Sequence, residues 1–348
     1  MIHLFTPFTL RSVRLRNRIV MPPMAMWSAG EDGVATEWHF AHYAARAVGG
    51  VGLIIQEVTA VEPRGRISTR DLGLWDDRQV EPLSRIVRFC REQGAAMAVQ
   101  LGHAGRKAFS FSRGEGPQMP VAPSAMPAEE GWVVPEALSE QGIGEVVAAF
   151  RAAAQRADRA GYDALEIHAA HGYLLHQFLS PLSNHRRDAY GGSLANRARM
   201  LLEVADAIRE VWPAEKALLV RLSVTDWAQG GLTIDDSVQI ARWLAEHGVD
   251  LIDCSSGGIL PTPPPDVGPG YQVPLAEAVR CQAGLPTCAV GLITAPETAE
   301  EIVRNGRADL VALGRELLRN PYWPLQAALK LGAEIAWPPQ YEDAKPRV

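Results

Sequence analysis

Gly161-Tyr162-Asp163-Ala164-Leu165-Glu166-Ile167-His168-Ala169-Ala170-His171-Gly172-Tyr173 opens as an apolar-weighted run and closes on two imidazoles and a phenol. The first part reads as a short buried strand, so His168, His171 and Tyr173 leave one strand's C-terminal end within six residues. All three side chains donate hydrogen bonds, and a phenol near pKa ~10 is a usable proton donor at neutral pH. Two fixed donors can polarise a carbonyl oxygen while the phenol delivers a proton elsewhere on the same molecule. That chemistry suits the reduction or isomerisation of a polarised double bond. A histidine pair at this spacing can instead bind a metal, or merely satisfy polar groups in a core. The rest of the chain has to separate these readings.

Working outward, short apolar runs recur with helical patterns between them. They are Ile19-Val20-Met21, Val51 to Glu57, Met97 to Leu101, Ala164 to His168, Leu218 to Leu222, Leu251 to Cys254, Thr287 to Val290 and Leu310 to Leu313. Each is near-continuously apolar, as expected of parallel strands covered on both faces. Between them Val146, Phe150, Ala153, Ala154 and Ala157 repeat at helical steps, as do Met200, Leu201, Val204, Ala207 and Ile208. Asp235 or Asp236 is placed to cap a helix running to about His247 and ended by Gly248. Pro296 falls near the first turn of another helix ending around Gly306. Eight strand–helix alternations predict an α/β fold, a single (β/α)₈ TIM barrel, with a doubly wound sheet as the alternative. Before the first strand, Phe8-Thr9-Leu10 and Val13-Arg14-Leu15 flank Arg11-Ser12 as a hairpin placed to plug the barrel bottom. The Pro- and Gly-rich stretch 102–135 reads as a long loop after the third strand, and Ser255 to Gly270 as another.

The 348 residues fit one large barrel domain spanning 1–348. Apolar content of 47% and charged content of 21% are ordinary for a globular protein. A net charge of −6 argues against nonspecific nucleic-acid binding. No run approaches the ~18 apolar residues of a membrane span, and Met1 to Leu10 does not read as a signal peptide. Cys90, Cys254, Cys281 and Cys288 form no CxxC pair, which excludes a conventional iron–sulfur cluster or zinc ribbon. Scattered, largely buried thiols predict a reducing, cytoplasmic location.

In such barrels catalysis sits on the loops at the strands' C-terminal ends. The first strand ends in Pro22-Pro23-Met24-Ala25-Met26-Trp27, the second at Glu57-Val58-Thr59-Ala60, the third at Gln100-Leu101-Gly102-His103 and the fifth at Arg221. Gly291-Leu292-Ile293-Thr294 follows the seventh strand, and Gly314-Arg315 the eighth. Glycines there leave backbone N–H groups open to a phosphate, and Arg315 adds a bidentate contact. Gln100 and Arg221 are read as pointing from neighbouring strands into one mouth. The amide suits the edge of a flavin ring, and the guanidinium suits the negative charge of a reduced one. Gly49-Gly50-Val51-Gly52 precedes its strand instead of following it, so a Rossmann dinucleotide turn does not fit. Any nicotinamide cofactor would bind transiently, as a substrate.

The motifs Asn17-Arg18-Ile19, Gly65-Arg66-Ile67-Ser68, His103-Ala104-Gly105-Arg106-Lys107, His168 to Tyr173, Ser180-Pro181-Leu182-Ser183-Asn184, Tyr190-Gly191-Gly192-Ser193 and Gly314-Arg315-Glu316-Leu317-Leu318 extend this pattern over nearly the whole chain. Together they resemble the Old Yellow Enzyme family of FMN-dependent ene-reductases, most closely its thermophilic-like bacterial branch, the NADPH dehydrogenases. The resemblance implies noncovalent FMN, with NADPH or NADH as reductant, and a homodimer or homotetramer. By it, Pro23, Met24, Ala25 and Val58 line the flavin, Gln100 and Arg221 contact its ring, and Gly291, Gly314 and Arg315 hold its phosphate. His168 and His171 would bind a substrate carbonyl or nitro oxygen. Hydride would pass from flavin N5 to Cβ of an activated alkene, and Tyr173 would protonate Cα.

Three positions depart from the branch. Ala25 stands where a cysteine usually meets the flavin, which predicts a more negative flavin potential. Trp27 stands in the substrate pocket where a tyrosine is usual; indole donates but cannot accept. Tyr341-Glu342 is followed by Asp343 where the branch places an arginine that reaches a neighbouring subunit, with Arg347 as the candidate substitute. Two other functions stay open at this point. One is a metal-dependent barrel hydrolase with His168, His171 and either His103 or Asp226 as ligands; the other is a flavin redox protein without efficient alkene turnover.

Overall fold

The computed structural model describes residues 3–108 and 119–346. Its strands in chain order are β1 (Phe8–Leu10), β2 (Val13–Leu15), β3 (Ile19–Met21), β4 (Leu53–Ala60), β5 (Leu72–Gly73), β6 (Ala96–Gly102), β7 (Val121–Ala122) and β8 (Glu136–Ala137). They continue as β9 (Ala164–Ala169), β10 (Ala217–Ser223), β11 (Leu251–Ser255), β12 (Thr287–Ala289) and β13 (Leu310–Ala312). Among the described residues β3, β4, β6, β9, β10, β11, β12 and β13 pair in parallel in that order, and β13 returns to β3 to close a (β/α)₈ barrel. Each of the eight apolar runs read from the sequence is one of these strands. They are buried almost end to end because helices cover the outside and side chains fill the inside.

β1 and β2 pair antiparallel, and Leu10, Val13 and Leu15 pack against the barrel's inward residues Leu53, Ala98, Leu219, Leu251 and Leu310. The hairpin thus closes the barrel floor with apolar surface, and the open end lies at the strands' C-termini. The expected helices run over Glu140–Ala160, Leu194–Arg209, Ile234–Glu246 and Pro296–Arg304. One cap differs from expectation. Thr233, not Asp235 or Asp236, caps the Ile234–Glu246 helix. Its hydroxyl accepts from Asp236 N–H at 3.2 Å while the Asp236 carboxylate accepts from Thr233 N–H at 3.1 Å, a reciprocal box in which the aspartate sits one turn in.

Two further features shape the mouth. The register of β4 against β6 shifts between Gln56 and Thr59, where an extra residue enters the strand and re-aims Glu57 and Val58. The long segment after β6 carries β7 and β8, which pair with each other before the Glu140–Ala160 helix begins. The part of that loop at 109–118 lies outside the described residues, as does Arg347.

Candidate active site

β9 delivers His168 at its buried end, and the turn after it delivers His171 and Tyr173. The three rings form one cluster: His168 stands 5.2 Å from His171 and 5.1 Å from Tyr173 between ring centroids, edge to face in both cases. His171 adopts φ 59 and Gly172 φ 73, a left-handed turn that a residue with a side chain rarely enters. The turn is anchored from beneath. His171 N–H donates to Ser223 Oγ at 2.9 Å, and Gly172 N–H donates to His176 Nδ1 at 2.8 Å. Because that nitrogen accepts, His176 carries its proton on Nε2 and donates to Asp226 Oδ1 at 2.9 Å; both side chains are fully buried.

Tautomers follow from the same bookkeeping. Ala170 N–H donates to His168 Nδ1 at 3.3 Å, which leaves Nε2–H as the donor. His171 Nε2 meets Ser255 Oγ at 2.7 Å, so Nδ1 is the nitrogen left to a ligand. Burial, then the nearby positive charge of Arg221, holds both imidazoles well below the ordinary histidine pKa. They are therefore neutral hydrogen-bond donors, not cations, at neutral pH.

Lys107 was not singled out as a site residue, although it ends the His103–Lys107 motif. Its Nζ donates to the carbonyls of His171 at 2.8 Å and Gly258 at 2.5 Å and lies 5.6 Å from the Tyr173 ring centroid. Burial pulls this ammonium down to about 8. Its position ties the His171–Tyr173 turn to the loop after β11.

Gln100 and Arg221 are expected on neighbouring strands, but β9 runs between β6 and β10 and separates them. Gln100 Nε2 donates to Glu166 Oε1 at 2.8 Å, and Arg221 Nε lies 3.1 Å from Asp253 Oδ2. Arg221 nevertheless lines the cleft at the mouth together with Ser255, Gly291, Gly314 and Arg315.

The segment after β3 crosses the barrel rim. A Cβ on Gly314 would stand 3.6 Å from Met24 Sδ and 3.7 Å from Pro22 Cγ, so the ends of β13 and β3 meet here. Met26 N–H donates to Glu57 Oε2 at 2.6 Å, and Tyr43 hydroxyl donates to Glu57 Oε1 at 3.0 Å. Burial raises Glu57 to about 7. Pro23, Met24 and Ala25 are half-buried, while Trp27 is 38% exposed and adopts φ 49, a strained choice for a bulky side chain. Val58 reaches the other side of the mouth, where a Cβ on Gly102 would lie 2.6 Å from Val58 Cγ2 and 3.3 Å from His168 Cβ. Gly102 is thus a packing requirement of the site that only its neighbours reveal.

The cleft encloses about 260 Å³ and is lined on one side by Val290 to Thr294 and on the other by Gly314 and Arg315. Gly291 adopts φ 133, in the region glycine alone tolerates well. Arg315 is exposed and makes no hydrogen bond or ion pair within the described residues. An uncommitted guanidinium beside glycine backbone, continuous with Arg221, fits the phosphate and ring of a flavin mononucleotide.

The hydrolase reading loses its ligands. His103 Nε2 is engaged by Glu62 at 2.7 Å, and Asp226 by His176 and by Ser180 Oγ at 2.6 Å. Among the described residues no group of three His, Cys, Asp or Glu side chains is placed to hold a metal ion. Cys90, Cys254 and Cys288 are buried free thiols and Cys281 is exposed. Tyr341 lies in the turn Pro339–Ala344, 3.4 Å from the hydroxyl of Tyr322. No described helix is long and apolar enough to cross a membrane.

A closed barrel whose mouth joins neutral histidine donors, a phenol and a basic cleft defines a flavin oxidoreductase in outline. The chain belongs to the NADH:flavin oxidoreductase / NADH oxidase family, whose pattern matches residues 3–334. It is similar to an NADPH dehydrogenase of Geobacillus thermodenitrificans, 53% identical over 340 residues that cover 97% of each chain. An NADPH dehydrogenase of Listeria innocua is 52% identical over 342 residues, 98% of each chain. Among solved structures, morphinone reductase superposes with a TM-score of 0.81 at 32% identity, covering 97% of this chain and 92% of that one. An Old Yellow Enzyme homologue from Zymomonas mobilis does so at 0.81 and 28% identity, covering 99% and 100%. The protein is an NAD(P)H-dependent, FMN-containing oxidoreductase of the Old Yellow Enzyme type.

Proposed function

We propose that this oxidoreductase is an ene-reductase that saturates activated alkenes such as enones, maleimides or nitroalkenes. The observation that supports it best is the cluster of His168, His171 and Tyr173 beside a cleft with the cationic lining a flavin needs. Bound FMN would supply the hydride chemistry between NADPH or NADH and the alkene Cβ. His168 Nε2–H and His171 Nδ1, both neutral, hold the substrate's carbonyl or nitro oxygen and draw charge from the double bond. Tyr173 supplies the proton at Cα, with Lys107 fixing the turn that carries it.

Pro23, Met24, Ala25 and Val58 would line the flavin, Gln100 and Arg221 would face its ring, and Gly291, Gly314 and Arg315 would hold its phosphate. Trp27, 38% exposed, would border the substrate pocket. The chain would act as one FMN-binding barrel domain, as a homodimer or homotetramer, in the cytoplasm, where unpaired thiols stay reduced.

Purified protein mixed with NADPH without oxygen should lose its yellow flavin band and regain it on addition of 2-cyclohexenone. Bleaching without return would refute alkene reduction and leave a flavin reductase with another acceptor. No bleaching would refute the nicotinamide half-reaction itself.

A further inference from the structure

Between the apolar floor of the barrel and its mouth lies a charged layer that the alkene chemistry does not use. Glu166 on β9 and Asp253 on β11 are both fully buried, on the two strands that flank Arg221 on β10. Arg221 is the register partner of Asp253 and stands 3.1 Å from it through Nε, without the alignment of a hydrogen bond. Glu166 is held through Oε1 by the Gln100 amide at 2.8 Å. Among the described residues, Glu166 Oε2 and both carboxylate oxygens of Asp253 accept no hydrogen bond. Apart from Arg221 and the two carboxyls themselves, the described side chains acting on them are neutral. Cys288 is the register partner of Asp253, with its thiol kept protonated by burial and by these carboxylates, and His168 lies beyond.

Two ionised carboxylates here would share one guanidinium, leaving a net negative charge in a fully buried layer with a single amide donor among the described residues. Burial penalises such a charge severely unless it is paired. Among the described residues, Asp253 has a cation in contact and Glu166 has none. We propose that Glu166 and Asp253 carry one negative charge between them, seated on Asp253 against Arg221, and that Asp253 thereby tempers the positive charge Arg221 presents to the flavin. Asp253 is then a positioning residue that tunes the flavin's reduction potential, and Glu166 a neutral acid that orients Gln100. Burial and then the Asp253 charge push the Glu166 carboxyl upward against Arg221 and the Gln100 hydrogen bond, whereas at Asp253 burial alone raises the carboxyl and Arg221 opposes it, in agreement with that division. The inference rests on the placement of FMN over Arg221 proposed above.

Two-electron reduction by hydride adds negative charge to the flavin ring, so a bare Arg221 favours the reduced form more than an Arg–Asp pair does. The test is the potential of protein-bound FMN, titrated against a reference dye in the wild type, Asp253→Asn and Glu166→Gln. Asp253→Asn should favour reduced over oxidised flavin by about tenfold or more, a shift of roughly 30 mV or more to positive potential at 29.6 mV per tenfold. Glu166→Gln copies the neutral acid and should move it less than about twofold, roughly 10 mV on the same scale. An unmoved or more negative potential in Asp253→Asn, or an equal shift in Glu166→Gln, overturns the proposal.

Infrared difference spectra of the wild type between oxidised and reduced states supply a test that survives misfolding of Asp253→Asn. A protonated-carboxyl stretch that responds to reduction and vanishes in Glu166→Gln supports the assignment, and its absence overturns it. A wild-type protein that binds no FMN would overturn the flavin placement together with this inference. A loaded protein whose potential ignores Asp253 would overturn the inference alone.

Discussion

Glu57 offers the most quantitative handle on the mouth of the barrel. Its carboxyl is buried beneath the Pro23–Trp27 segment, where it accepts from Met26 N–H at 2.6 Å and from the Tyr43 hydroxyl at 3.0 Å. His39 Nε2 lies 3.6 Å away, but burial drops that imidazole to about 4, so it brings no charge near neutrality. Burial therefore dominates and lifts Glu57 from an ordinary 4.5 to about 7, against the lowering effect of the two hydrogen bonds. The unfolded chain ionises this group near the ordinary value while the folded chain keeps it protonated. Its stabilising contribution is thus fully present below about pH 4.5 and is lost as pH rises to about 7. At 1.36 kcal/mol for each tenfold change in proton activity, the loss amounts to about 3 kcal/mol.

Glu57→Gln cannot ionise and should lack this slope. Urea unfolding of both proteins at steps from pH 4.5 to 8 measures it directly. The stability of the wild type relative to Glu57→Gln should fall by about 3 kcal/mol across that range and level off above the folded-state value. A difference that stays constant with pH would mean that Glu57 titrates normally. A difference that rises with pH would mean that the carboxylate is the preferred partner of Met26 N–H; either result refutes burial as the dominant effect.

Other outcomes are equally open to measurement. Tyr173→Phe should slow reoxidation of the reduced protein by 2-cyclohexenone by about 10²- to 10⁴-fold while leaving reduction by NADPH at the wild-type rate; equal losses in both stopped-flow phases would remove Tyr173 as proton donor. Gly172→Ala places a methyl group inside contact distance of the Gly258 carbonyl at φ 73, at a backbone cost of about 1–3 kcal/mol before the clash is counted. Its melting temperature and its alkene turnover should both drop, and an unchanged melting temperature would show that the turn relaxes without cost. Ala25→Cys introduces a polarisable donor at the half-buried rim and should raise the flavin potential in a dye titration, whereas an unchanged or lower value would separate position 25 from the flavin.

The parts of this molecule that were legible in the sequence are those set by local periodicity. Ala164 to His168 and its seven counterparts could be read as strands because burial on both faces demands continuous apolar residues, whatever the partner strand. The hairpin at Phe8 to Leu15 and the helix from Pro296 were equally local, since turn and cap chemistry act within a few residues. The cap expected at Asp235 or Asp236 falls instead at Thr233, because both members of a Thr–Asp box are common cap residues and only the hydrogen bonds show which one lies outside the helix.

His168, His171 and Tyr173 could be singled out because one short turn brings all three together. Their working state could not. The tautomer of His168 depends on Ala170 N–H, but the nitrogen His171 leaves to a ligand depends on Ser255, 84 residues away, and the seat of Lys107 depends on Gly258. Gln100 and Arg221 were readable as residues of the mouth, yet their partners Glu166 and Asp253 follow from strand order and register, with β9 inserted between β6 and β10. Sequence alone therefore determined the barrel, its floor and the donor set, because each is a pattern within a strand or a turn. Tertiary structure decided protonation, tautomer and charge pairing, because those depend on which side chains the closed barrel buries within about 3 Å of one another.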